Sequence, residues 1–350
     1  MKFVVSGGGS GGHIYPALAV AEQLVSMGHD VFYVGAAGGM EERIVPEHNL
    51  PFYALPAGKY NRGALQPREA YKALAGLLAA RRLVASLSPA AVLTTGGFAG
   101  FPFPYMAERA GMSVVLLEQN AVLGLANRWL APRARRIALA MAAEMPRRFK
   151  NKTVVTGMPV REEKYERAAA LNQLGLDPTR PLLLVMGGSQ GSLALNRLLP
   201  DILQKLPGRW QVLHQTGAAG YEEVSALVTD WEDYHTSRFV PAPLAWSAAT
   251  AAVTRAGATT LAEAAFHGVP LLAVPLPAAV DGGAQERNAR FYADRGAILT
   301  ASQDNPAAVA AAVTALTDSE RRAKMQTALA ALSPAGAADR LAQLLLEVAS

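Results

Sequence analysis

No cysteine occurs among the 350 residues, which excludes disulfides and thiolate metal sites. A metal, if bound, would need carboxylates or histidines, and the absence suits a reducing compartment. Charge is also scarce: Asp, Glu, Lys and Arg make up 17% of the chain against 51% apolar residues, which excludes a disordered chain. Long apolar runs are missing. The longest stretch free of charged residues, 83–107, holds three prolines and three glycines and cannot form an uninterrupted span of ~20 apolar helical residues. No transmembrane helix is expected, and because residues 2–6 read as a strand, no secretion signal is expected either.

What is present fits two α/β domains of about 150 to 180 residues each. Short β-rich apolar runs at 3–6, 31–35, 91–95, 113–118 and 137–140, then at 182–186, 211–215, 251–254 and 270–275, alternate with helical patterns. That alternation predicts parallel sheets covered by helices. A Gly-Gly-Ser loop follows a buried strand twice, at Gly8-Gly9-Ser10 and Gly187-Gly188-Ser189, an offset of 179 residues that implies tandem nucleotide-type domains. The boundary falls near 156–162, giving domains 1–160 and 161–333, with a last helix at about 336–348 that could return to the first domain. The net charge of +5 is uneven: residues 1–155 carry 17 Lys/Arg against 9 Asp/Glu, and residues 156–350 carry 16 against 19. The basic first half points to an anionic partner.

Gly7, Gly9 and Gly12 satisfy the G-x-G-x-x-G pattern, but the run is almost all glycine and the match is weak. A dinucleotide site also needs an acid ending the second strand; residues 31–35 end without one, and Glu41 comes too late. The loop reads instead as bare backbone amides opening on a helix that starts near Tyr15, with Pro16 in its first turn, a place for an anion or sugar diphosphate. The alternative is a tight strand-to-helix turn without a ligand. His13, following the loop, is either a general base for a substrate hydroxyl or a helix-cap residue at a polar rim.

Five ordered motifs sharpen this: Gly8-Gly9-Ser10-Gly11-Gly12-His13-Ile14-Tyr15-Pro16, Glu118-Gln119-Asn120, Gly157-Met158-Pro159-Val160-Arg161, Gly187-Gly188-Ser189-Gln190-Gly191 and Arg255-Ala256-Gly257-Ala258-Thr259-Thr260-Leu261-Ala262-Glu263. Their order over residues 3 to about 290 resembles the family 28 glycosyltransferases that add N-acetylglucosamine to lipid I in peptidoglycan synthesis. The resemblance implies a GT-B fold, two Rossmann-like parallel-sheet domains facing a cleft. It implies UDP-GlcNAc held mainly by the second domain, the lipid acceptor by the first, and no cofactor or metal.

By the same resemblance His13 is the catalytic base. Ser10, Gly11, Gly12, Asn120, Arg161, Ser189, Val240, Ala258, Thr259, Thr260, Leu261, Glu263 and Gln285 are the UDP-GlcNAc ligands. The chemistry of several agrees. Glu263 can accept both ribose hydroxyls, or be a solvated helix carboxylate. Thr259 and Thr260 at a helix N-terminus can receive a diphosphate in place of a metal. Arg161 is a hinge cation or a surface charge, and Val240 would offer its backbone to uracil. Gln285 and Asn288 offer amide donors and acceptors to a neutral sugar.

The chain departs from the family pattern at several points. Ser10 replaces threonine, Met158 an asparagine and Phe98 a tyrosine; Leu117 stands where a histidine often precedes Glu118, and Gly282-Gly283 is inserted before Gln285. Leu117 puts in doubt any scheme needing that histidine, and the insertion blurs the register of Gln285.

Six basic residues and one acid lie between Lys59 and Arg82, among Leu65, Tyr71, Leu74, Leu77 and Leu78; a second basic group runs from Arg128 and Trp129 to Arg136. An amphipathic helix with most of these leucines turned inward is expected. With the basic domain this fits peripheral attachment to anionic lipid at the cytoplasmic face of the membrane. No nucleic-acid module is visible. The rival functions are a UDP-GlcNAc 2-epimerase or another transferase of the same fold, a nicotinamide oxidoreductase disfavoured by the missing acid, and a non-catalytic UDP-sugar binder.

Overall fold

The computed structural model describes residues 1–58, 66–143, 145–188 and 190–350. It falls into two compact units, one of Met1–Val160 with Pro334–Ser350 and one of Arg161–Ser333.

Unit 1 contains β1 (Lys2–Ser6), β2 (Asp30–Ala36), β3 (Phe52–Leu55), β4 (Ala91–Thr94), β5 (Ser113–Glu118), β6 (Arg136–Leu139) and β7 (Thr153–Val155). They form one sheet in the order β3-β2-β1-β4-β5-β6-β7, with every ladder parallel. Successive residues point to opposite faces, and both faces are covered. Phe3, Val5, Leu93, Val115 and Leu117 pack with Ile14, Leu18 and Leu24 of helix Gly11–Ser26, and with Leu341, Ala342 and Leu345 of helix Ala337–Ala349. Val4, Val92, Val114 and Leu116 pack on the other face with Ala80, Val84 and Leu87 of helix Pro67–Leu87 and with Phe103 and Ala107 of helix Pro102–Arg109. Each fully buried leucine or phenylalanine contributes about 1.5–3 kcal/mol, which is why these runs are continuous and apolar.

Unit 2 repeats the plan with β8 (Leu182–Met186), β9 (Gln211–Gln215), β10 (Tyr234–Ser237), β11 (Ala251–Thr254), β12 (Leu271–Ala273) and β13 (Leu299–Thr300), ordered β10-β9-β8-β11-β12-β13 and parallel throughout. In each sheet the order reverses beside its first strand, between β1 and β4 and between β8 and β11. In open α/β sheets ligands bind outside the carboxyl ends of the strands at that point.

Two expectations need correction. The first helix begins at Gly11, so Pro16 lies inside it and not in its first turn. Leu74 and Leu78 are turned outward, each 59% exposed, with Tyr71 at 74% one turn before Leu74; the inward face of that helix is Gly76, Ala80, Val84 and Leu87, where Gly76 lies against the Pro56 carbonyl and the other three join the core cluster that holds Val34 and Val92. Lys59, Arg62 and Leu65 of the basic run lie outside the described residues. Among the described residues no helix is long and apolar enough to cross a membrane.

Candidate functional site

In unit 1 the chain leaves β1 through residues 7–10 and enters helix Gly11–Ser26. Ser10 is its extended N-cap, and the exposed hydroxyl makes no capping bond; the Ser10 carbonyl accepts from His13 N at 3.0 Å and Ile14 N at 3.2 Å. The Tyr33 hydroxyl donates to the Gly7 carbonyl at 3.0 Å. The Gly9 amide does not await a ligand: it donates to Glu41 Oε2 at 3.1 Å. That corrects the expectation of an open amide cradle. The helix then begins at Gly11 and Gly12.

His13 Nδ1 lies 2.7 Å from the Thr95 carbonyl, and the Thr95 hydroxyl donates back to the His13 carbonyl at 2.8 Å. A carbonyl only accepts, so Nδ1 carries the proton and the Nε2 lone pair is left to take one. Burial lowers the imidazole pKa from its ordinary value, partly offset by the Thr95 bond and the negative charge of Glu41. The ring is therefore neutral at pH 7, the state a base needs. Next to it Gly96 and Gly97 both have positive φ, +83° and +76°, and a Cβ on Gly97 would sit 2.7 Å from the Gly8 carbonyl, so the loop after β4 lies against the loop after β1.

At the end of β5 the buried Glu118 carboxylate accepts from Asn120 N at 3.0 Å, Gly124 N at 2.8 Å and Asn127 Nδ2 at 2.9 Å. Burial raises its pKa and these bonds pull it back. Glu118 thus fixes the turn that presents Asn120. Gln119 Nε2 and Asn127 Oδ1 are buried in the same turn without a protein partner. The side chain of Leu117, the departure from the family pattern, is fully buried in the core, while its carbonyl accepts from Asn127 Nδ2 at 3.0 Å.

In unit 2 the loop after β8 packs against the loop after β9. Gly191 (φ +77°) faces the Thr216 carbonyl and Gly217 (φ +76°) the Gln190 carbonyl, with no room for a side chain at either. Gln215, at the end of β9, joins this loop to the one after β10: Nε2 donates to the Gly188 carbonyl at 2.9 Å, and Oε1 accepts from Val240 N at 3.0 Å. The Val240 N–H is already engaged, so its backbone has only the carbonyl for a base. Below, His214 is fully buried between the Tyr234 hydroxyl at 2.8 Å and Asn196 Oδ1 at 3.1 Å, and burial drops its pKa to about 3. Ser189 lies outside the described residues.

After β11, Arg255 is buried among neutral acceptors only: Ser192 Oγ, the Val274 and Pro275 carbonyls and Gln303 Oε1, at 2.8 to 3.1 Å. Ala256 is held from both sides, its N–H donating to Gln285 Oε1 at 3.1 Å and its carbonyl accepting from Asn288 Nδ2 at 3.3 Å. Helix Ala258–His267 then starts at the extended N-cap Gly257, so Ala258, Thr259 and Thr260 form its first turn. The Leu261 N–H makes the first intrahelical bond to Gly257 at 3.0 Å and its side chain is fully buried.

Glu263, one turn further, accepts from the buried Trp246 Nε1 at 3.1 Å through Oε2. Burial pushes its pKa up, while the positive charge of Arg161 and the Trp246 bond hold it down. Arg161 and Glu263 are thus brought together, and Arg161 is not a mere surface charge. The Gly282-Gly283 insertion resolves as a corner between two helices: both glycines have positive φ, +72° and +76°, and Asp281 accepts from Gly283 N at 2.8 Å and Gln285 N at 2.9 Å. Because Gln285 Oε1 already serves Ala256 and Leu276, only Nε2 remains for a sugar. Among the described residues no group of three or more His, Cys, Asp or Glu is placed to hold a metal.

Gln215, Asn196, Arg255 and Glu41 were not singled out from sequence as site residues. A signal existed for the first: His214-Gln215-Thr216-Gly217 puts polar residues at the carboxyl end of a buried strand, where side chains need partners.

Two doubly wound sheets in one chain, each with a glycine loop at its switch point, are the architecture of the GT-B nucleotide-sugar glycosyltransferases. Residues 3–139 match the glycosyltransferase family 28 N-terminal domain and residues 182–341 the family 28 C-terminal domain, and the chain belongs to that family. A relative from Thermus thermophilus is 50% identical over 342 residues, 98% of each chain, and one from Deinococcus deserti 40% identical over 98% of this chain and 97% of its own. Both are named UDP-N-acetylglucosamine–N-acetylmuramyl-(pentapeptide) pyrophosphoryl-undecaprenol N-acetylglucosamine transferase. The crystal structure of Acinetobacter baumannii MurG superposes with a TM-score of 0.80 at 29% identity, covering 99% of both chains.

Proposed function

We propose that this chain transfers N-acetylglucosamine from UDP-GlcNAc to the muramyl sugar of lipid I, giving lipid II for peptidoglycan. The observation that carries this is identity of 40–50% along almost the whole chain to transferases of that name. In the displacement, the acceptor C4 oxygen bonds to the anomeric carbon as the bond from that carbon to the UDP oxygen breaks, with inversion to a β-1,4 link. The acceptor's proton passes to His13 Nε2. The electron pair leaves on UDP, whose charge the first turn of helix Ala258–His267 and the nearby Arg161 stabilise. Glu263 holds the ribose hydroxyls, and Gln285 Nε2 donates to a sugar hydroxyl.

Labelled GlcNAc should pass from UDP-GlcNAc to a lipid I analogue, and only when both substrates are present. Epimerised sugar formed from UDP-GlcNAc alone would place the chain among the 2-epimerases instead.

The acceptor is lipid-anchored, and the helix Pro67–Leu87 supplies a matching surface: Tyr71, Leu74 and Leu78 project together on one face, with Arg68, Arg81 and Arg82 exposed beside them. Trp129, 66% exposed, follows Arg128 on helix Leu125–Leu130. These residues support peripheral attachment to anionic lipid on the cytoplasmic face. The double variant Leu74→Glu/Leu78→Glu should bind vesicles containing anionic lipid about thirtyfold more weakly in co-sedimentation, since each lost leucine contact is worth roughly 1 kcal/mol. Its turnover of a short-chain water-soluble acceptor should be unchanged; equal vesicle binding by variant and wild type would locate the attachment elsewhere.

A further inference from the structure

Glu41, in the first turn of helix Met40–Glu47, is fully buried under the first glycine loop. Oε2 accepts from Gly9 N at 3.1 Å, and Oε1 accepts from Ala36 N at 3.0 Å. A Cβ at Gly8 or Gly39 would overlap this carboxylate, so part of the glycine richness is explained by the acid beneath it. Among the described residues no Lys, Arg or His stands within ion-pair distance of Glu41. Burying an uncompensated charge is costly, yet a neutral glutamine offers one acceptor oxygen and a donating NH2, so only a carboxylate holds both amides, Gly9 N and Ala36 N, through separate oxygens.

What the carboxylate faces is the loop that carries His13. The titratable groups around that loop are Glu41 and, from β2, Tyr33, which is bonded to Gly7. β4 and residues 95–100 contribute none, and Glu118 of β5 is bound within its own turn. We infer that Glu41 is a positioning residue for the base: it anchors the glycine loop from below and supplies the negative charge that favours proton uptake at His13 Nε2. It touches neither the ring nor a reacting atom and works through the loop and the field. The electrostatic pull of Glu41 on His13, against the lowering by burial, agrees with this placement. The inference rests on His13 being the base.

The test is the pH profile of kcat/KM for the acceptor analogue in wild type, Glu41→Gln, Glu41→Asp and His13→Ala. The neutral imidazole is the active form, so activity falls as pH drops through its pKa. Removing the negative charge lowers that pKa, and in Glu41→Gln the acid limb should move to lower pH by roughly half a unit to one unit, with a plateau about tenfold lower. Glu41→Asp keeps the charge but shortens the reach, so its limb should stay in place while its plateau falls. An unmoved limb in Glu41→Gln, with the limb lost in His13→Ala, overturns this inference and leaves the base assignment standing. A limb that persists in His13→Ala overturns both. If Glu41→Gln fails to fold, an unchanged plateau in Glu41→Asp is the overturning result.

Discussion

Replacing His13 by alanine should lower turnover about a thousandfold while leaving UDP affinity at the wild-type value, since a positioned general base contributes roughly 10²- to 10⁴-fold. The tautomer set by the Thr95 carbonyl leaves Nε2 as the acceptor, and among the described residues the two buried carboxylates of this region, Glu41 and Glu118, have their oxygens engaged by amides. The groups proposed to hold the UDP moiety, Arg161, Thr259, Thr260 and Glu263, lie in unit 2, and the unit 1 residues expected to meet the donor, Ser10, Gly11, Gly12 and Asn120, are unchanged in this variant, so UDP binding should not register the change. Single-turnover rates with a lipid I analogue, set beside calorimetric titration of UDP, separate the two effects. Wild-type turnover in His13→Ala would remove it as the base. In the wild type the acid limb should lie below about 6.5, the ordinary imidazole value, because burial lowers the His13 pKa.

The second large effect is expected at Glu263. Glu263→Ala should raise the donor KM about thirtyfold with kcat changed less than about threefold, because the carboxylate's bonds to the ribose are made equally before and during the reaction. The alanine variant also strands the buried Trp246 N–H, a loss of roughly 1–3 kcal/mol of stability. Glu263→Gln keeps an acceptor for Trp246 and isolates the charge; its donor KM should rise about tenfold with the melting temperature preserved. Burial holds the Glu263 pKa above the usual carboxylate value. Donor affinity should therefore weaken as pH falls toward that pKa, where protonation removes acceptor capacity. A Glu263→Gln variant with unchanged donor KM and reduced kcat would move this residue from binding to chemistry.

The strands expected from sequence are the central ones of each sheet, and their physical signature explains it. β1, β4 and β8 are buried on both faces and read as unbroken apolar runs. β3, β7, β10 and β13 escaped, and all four are sheet edges. Phe52–Leu55 and Thr153–Val155 each leave two residues exposed, and Leu299–Thr300 is only two residues long, so neither hydrophobicity nor length marks them. The candidate site divides the same way. Glycine loops and a carboxylate in a helix announce themselves in one dimension. Gln215 acts by bonding to two loops 25 and 27 residues away in sequence, and the Gly9–Glu41 bond spans 32 residues. The opposite error occurred on helix Pro67–Leu87: its leucine spacing fits an inward stripe equally well, and only the position of the sheet shows that Gly76 and Ala80 take that face.

The helix Ala337–Ala349 belongs to unit 1, yet it is encoded after all of unit 2. Leu341, Ala342 and Leu345 complete the cluster around β1 and helix Gly11–Ser26. On the ribosome, the first 160 residues emerge with that apolar face uncovered and wait through the synthesis of 173 more before its cover arrives. The unit that starts first is finished last, so a chain cut short anywhere in its second half leaves a greasy, incomplete first unit whatever the state of the second.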